Sequence, residues 1–291
     1  MTIELFDPTK KYAPPAGAQL VYGGGDLLNL PKIVAVFVDE LSGAPYALSS
    51  EMSSFLTEFM QRADILAELK EYDKSGAVEE SGSFTGGFAL SLGGSTPPPP
   101  PPGPGGDCTA ELEALLACLG FARPTSAVAV HLAAAANKHI GAASNVLQDS
   151  DVQSLIDSNL TNLLPSPDPD TLYCVFFPTG VQIQFGTDAS CTTFCGYHNS
   201  FVDASGNTIR YAVLPFPDCA GCLGGMSAKD ALTSVTTHEI AEAITDAGAD
   251  GSGWYDQQNG EIGDICAWMT KLDSAGNTVQ LLWSNAANNC I

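Results

Sequence analysis

Apolar residues along this chain recur in two rhythms, and each marks a different kind of element. Lys32 to Asp39 (KIVAVFVD) is an almost unbroken apolar run and predicts a buried strand, as do 171–177, 181–185 and Thr208 to Leu214 (TIRYAVL). Ser49 to Tyr72 instead spaces Phe55, Phe59, Ile65 and Leu66 as one face of a long amphipathic helix. Further helical patterns cover about 109–119, 126–138 and 149–163, and a terminal strand is expected at about 278–283. Ser227 followed by Asp230 reads as a helix start, after which nothing up to Asp246 breaks the run. The mixture predicts an α+β fold in which a mixed sheet packs against helices.

One segment interrupts the pattern. Ser95-Thr96, six prolines at 97–102 and Gly103-Pro104-Gly105-Gly106 form a stiff polyproline spacer with flexible ends. It has no flanking basic residues, which argues against a proline-motif ligand. The expected organisation is therefore an N-terminal part at 1–94 (strand plus long helix) and a linker at 95–106. A helical and site-bearing part follows at 107–291 and forms one compact unit with 20–94.

The last helix carries the chemistry. Ala231, Leu232 and Val235 begin an apolar stripe that turns into His238, Glu239, Glu242 and Asp246 on one arc of about a third of the circumference. Stacked carboxylates repel, and a divalent cation removes the conflict. The spacing is that of the H-E-x-x-H helix of zincins, with Glu242 in the second ligand position and Glu239 as general base for the attacking water. Glu261 and Asp264 follow about twenty residues downstream, where several zincins place their third ligand; Asp264 is the first choice and Glu261 the alternative. The fold expectation sharpens accordingly to a zincin-like, disulfide-braced α+β unit. With Gly260 in the turn position, the first ligand of an EF-hand would fall on Tyr255, which cannot serve, so Ca2+ is left only as a structural ion in an irregular site. His131 and His139 share a helix face without neighbouring carboxylates and read as surface or core histidines.

Composition narrows the class. Eleven basic against 33 acidic residues give a formal net charge of −22, which repels nucleic acid and anionic lipid. No apolar run is long enough for a membrane span, so membrane insertion is not expected. Nine cysteines imply an oxidising compartment, and the odd count leaves one thiol, for which Cys174 in its apolar run is the candidate. Cys191-x3-Cys195 with Cys219-x2-Cys222 reads as disulfides ahead of a four-thiolate zinc site. A disulfide between Cys266 and Cys290 is expected to tie the terminal strand to the site loop. The first residues show no signal peptide, so secretion is expected by another route or after its removal.

The stretch Cys191 to His198 completes a set of motifs: Val21-Tyr22-Gly23-Gly24-Gly25, His238 to Asp246, Glu261 to Cys266, and Trp283-Ser284-Asn285 with Cys290. Together these resemble a bacterial member of the Exordium-like, phosphate-induced protein family over most of residues 20–291. The resemblance implies a secreted protein, since the plant relatives are cell-wall proteins in which the H-E-x-x-E element is degraded. It also makes His198 a site residue, reaching the metal or hydrogen-bonding a polarised carbonyl. Two function classes stand side by side: a secreted zinc-dependent hydrolase acting on peptide or protein, and a non-catalytic extracellular protein that contacts cell-wall or matrix components.

Overall fold

The computed structural model describes residues 2–61, 63–73, 82–92, 145–160 and 162–291. Six strands form its main sheet: β1 (Thr2–Glu4), β2 (Lys32–Val38), β3 (Ser83–Leu90), β4 (Thr171–Phe177), β5 (Phe194–Val202) and β6 (Thr208–Pro215). Their spatial order is β1-β5-β6-β4-β2-β3. β6, β4, β2 and β3 run parallel, and β5 runs against both its neighbours, β6 and β1. Strands from both sides of the proline-rich segment thus share one sheet.

The two central strands show why they read as apolar runs. Alternate residues of β2 and β4 serve opposite faces, and both faces are covered. Ile33, Ala35, Phe37, Leu172, Cys174 and Phe176 join one core with helices α1 (Ser49–Gln61) and α2 (Ala63–Leu69). Val34, Val36, Tyr173, Val175 and Phe177 join the other with Val152 and Ile156 of α3 (Asp149–Asn159). The result is three layers, helix, mixed sheet and helix. On the first face, after the short helix α4 (Ala220–Leu223), lies α5 (Ala228–Thr245), which packs on β5 and β6. A hairpin of β7 (Thr270–Leu272) and β8 (Thr278–Gln280) covers it from outside.

Several expectations shift in detail. The Ser49–Tyr72 helix is divided into α1, α2 and a 3-10 turn at Lys70–Tyr72. The expected strand at 278–283 is two short strands, since Leu281 and Leu282 turn back to bond Met269 and Ile291 and free Trp283–Ser284 to pair with Asn289–Cys290. Strand β3 was not foreseen: its Gly86-Gly87 lacks strand propensity. Gly87 is needed because a Cβ there would lie 2.6 Å from the Phe37 ring. The helical patterns at 109–119 and 126–138, with Cys108, Cys118, His131 and His139, lie outside the described residues.

Three disulfides brace the site side: Cys191–Cys219, Cys195–Cys222 and Cys266–Cys290. The four cysteines weighed as a zinc site are paired with one another. Cys174 is the free thiol among the described residues and is buried in β4, where burial pushes its pKa well above the usual thiol value.

Candidate metal centre

Helix α5 is built to place its polar residues inside the protein. Ser227 Oγ accepts the Asp230 amide at 3.2 Å and donates to the Asp230 carboxylate at 2.6 Å, closing the N-terminal cap. From Ala231 to Thr245 every residue is buried. Three of its threonines bond back along the helix: Thr233 Oγ1 donates to the Asp230 carbonyl at 3.1 Å, Thr237 Oγ1 to the Thr233 carbonyl at 2.8 Å and Thr245 Oγ1 to the Ala241 carbonyl at 3.0 Å. At the C-terminal end the Asp246 carboxylate accepts the amides of Gly251 and Gly253 at 2.6 and 2.9 Å, which turns the chain back toward the helix. Asp246, expected on the charged arc, therefore braces this loop.

The remaining five site residues converge with His198 of β5. His238, Glu239, Glu242 and Glu261 are fully buried, and His198 is 2% exposed. Asp264 keeps 21% of its side chain exposed. Two groups share Glu242. In the first, His238 Nε2 lies 3.0 Å from Glu242 Oε1 and 3.8 Å from Asp264 Oδ1. In the second, His198 Nδ1 lies 3.5 Å from both Glu239 Oε2 and Glu242 Oε2. Each trio could hold a metal ion. Zinc ligands at about 2.0–2.1 Å and tetrahedral angles stand about 3.3 Å apart, and the separations from the two ring nitrogens, 3.0–3.8 Å, lie around that value.

Close approach of backbone makes room for this cluster. A Cβ on Gly196 of β5 would fall 2.8 Å from Glu239 Oε1, and one on Gly263 would fall 2.6 Å from His238 Nδ1 and 2.8 Å from Glu242 Oε1. Gly263 begins the 3-10 turn Asp264–Cys266, which delivers Asp264 to the helix; its amide donates to Glu242 Oε1 at 3.1 Å.

Outer partners orient both imidazoles. His238 Nδ1 lies 3.2 Å from Gln280 Oε1, while Gln280 Nε2, 2.9 Å from the same ring nitrogen, donates to the Gly263 carbonyl at 2.9 Å. With the proton on Nδ1, the Nε2 lone pair faces Glu242 and Asp264. His198 Nε2 faces the Asp246 carbonyl at 3.3 Å and Glu261 Oε1 at 3.6 Å. Its Nδ1 thereby faces Glu239 and Glu242. Glu261, weighed as the alternative third ligand beside His238, is placed against His198.

Without a cation the cluster is held together by protons. Burial opposes the charged rings, yet Glu261, Glu239 and Glu242 carry the His198 pKa up to about 9, and Glu242 with Glu239 and Asp264 carries His238 up to about 10. Burial and then Glu242 push Glu261 up to about 8 and Asp264 up to about 7. Burial also raises Glu239, whereas Glu242, although buried, is held far below the usual carboxylate range by His238 and His198. A divalent ion satisfies the same carboxylates without those protons.

The site meets solvent at Asp264, which lines a cavity of about 630 Å³ with Lys10, Tyr12, Asp188, Asn259 and Trp268. In the acidic segment 250–264, weighed for an irregular calcium site, two carboxylates accept backbone amides. Asp256 accepts the amides of Gln19, Gln258 and Asn259, and Asp250 accepts that of Ser252. Sequence reasoning missed Gln280. Its signal was a lone amide in the apolar run Val279-Gln280-Leu281-Leu282. No helix among the described residues is long and apolar enough to cross a membrane. No family model, curated protein or solved structure matches the chain.

Proposed function

We propose that the protein is a secreted, zinc-dependent hydrolase, most simply a peptidase, with a zincin-like arrangement around α5. The observation that carries this is the grouping of His238, Glu242 and Asp264, with ligand atoms within 4.8 Å of one another, Asp264 lining a solvent-reached cavity and Glu239 one residue along the helix from His238. His238, Glu242 and Asp264 hold the ion, which supplies Lewis acidity toward a carbonyl oxygen. Glu239 takes the proton of the attacking water and returns it to the leaving amine. Its two oxygens are buried without a hydrogen-bond partner, and burial raises its proton affinity, as a base near neutrality requires. His198, 3.5 Å away, is the cationic neighbour that keeps this carboxylate ionised between turnovers. Two carboxylate ligands quench the charge of the ion more than imidazoles would, so a slow hydrolase is expected.

The near-complete burial of the cluster favours a second reading, a non-catalytic extracellular protein in which the ion serves stability. Zinc content, thermal unfolding and activity on a peptide library, measured for the wild type and Glu239→Gln, separate the two. The hydrolase reading expects activity that falls by several orders of magnitude in Glu239→Gln while the fold and the ion at His238 remain. Bound zinc with no hydrolysis in either protein would establish the second reading.

A further inference from the structure

We propose that the cluster binds a second divalent cation, between His198 Nδ1, Glu239 Oε2 and Glu242 Oε2, so that Glu242 bridges two ions through its two oxygens. The inference rests on reading the α5 cluster as a metal centre and adds to it.

Three observations support the second site independently of the first. The atoms of this trio are spaced as ligands of one ion, with both carboxylate oxygens 3.5 Å from the ring nitrogen. Among the described residues, His198 Nδ1, both oxygens of Glu239 and Glu242 Oε2 are buried without a hydrogen-bond partner. Such atoms are costly to leave unsatisfied in a dry interior. The opposite ring nitrogen of His198 has the partners that fix a ligating imidazole, the Asp246 carbonyl at 3.3 Å and the Glu261 carboxylate at 3.6 Å. A cation between the three atoms would satisfy the ring nitrogen and both carboxylates at once.

Glu242 links the two positions. Its Oε1 belongs to the His238 group and its Oε2 to the His198 group. A carboxylate that uses one oxygen for each ion is a standard bridge in binuclear centres, whose ions stand about 3.5–4 Å apart. Mixed nitrogen and oxygen donors suit zinc or manganese. Filling the second position commits Glu239 to an ion, so it can no longer take a proton. Hydrolysis should therefore be greatest with one equivalent of metal and fall as the second is added.

The test is metal counting on the full chain, stripped with chelator and reloaded with excess zinc before desalting. Two ions per chain in the wild type are expected, and one in each of His198→Gln and His238→Gln. A parallel sample loaded with manganese should show the paramagnetic resonance spectrum of a spin-coupled pair, a readout that needs no variant. A wild type that saturates at one ion, with an uncoupled manganese spectrum, overturns the second site and leaves the first intact. No ion in any of the three proteins overturns both readings.

Discussion

Gly263→Ala inserts one methyl group into the wall of the site, and its sign is informative. Gly263 has φ −80° and ψ −40°, ordinary helical values that alanine adopts without strain. At such a position the substitution should stabilise the fold by about 0.4–1 kcal/mol, because alanine has less freedom to lose on folding. Here the added Cβ would stand 2.6 Å from His238 Nδ1 and 2.8 Å from Glu242 Oε1, well inside an ordinary contact of 3.4 Å or more. Neither neighbour can retreat freely. His238 is pinned by Gln280, and Glu242 accepts the Asp264 amide at 3.1 Å. Overpacking in a rigid interior costs about 1–3 kcal/mol, which outweighs the backbone gain. Denaturant unfolding with chelator should therefore show net destabilisation of up to about 2.6 kcal/mol. Zinc titrations should show weaker binding as well, since both displaced groups are proposed ligands. If Gly263→Ala is as stable as the wild type or more so, and binds zinc equally well, the close packing of this turn against the two ligands is wrong.

Two other perturbations probe the supports of the site. Replacing Cys266 and Cys290 together by alanine opens a loop with a sequence separation of 24 residues, for which chain entropy gives a loss of about 3.5 kcal/mol; non-reducing peptide mapping and denaturant unfolding check both the bond and its worth. Gln280→Leu removes the acceptor facing His238 Nδ1, and isothermal titration should show zinc affinity reduced by about 10–100-fold with the fold retained.

How much of this was legible beforehand depended on whether the cause was local. The central strands announced themselves because both faces are buried, leaving an almost unbroken apolar run at 172–177 and 33–38. The start of α5 was equally plain, since Ser227 and Asp230 form their cap within four residues. The gathering of His238, Glu239, Glu242, Glu261 and Asp264 followed from helical spacing and a short return loop. What the loop does in space was not legible. It sends Glu261 to the far side of His198, and that depends on the Asp246 carboxylate catching two glycine amides. The burial of α5 was hidden as well. Its five Ser and Thr residues, besides the charged groups, resemble a wet surface, and the β7–β8 hairpin, paired far along the chain, helps turn that face into an interior.

That enclosure also governs time. An ion bound at the proposed centre would leave past Asp264, the most exposed of its ligands, through a turn tied to Cys290 by Cys266–Cys290. Departure then waits on a local opening of the loop, so the rate at which a chelator strips the protein reports how often the turn lifts and says little about affinity. Reducing the disulfide loosens the hinge of that door. A metal bound at the proposed centre would then exchange faster with the surroundings after reduction than before it.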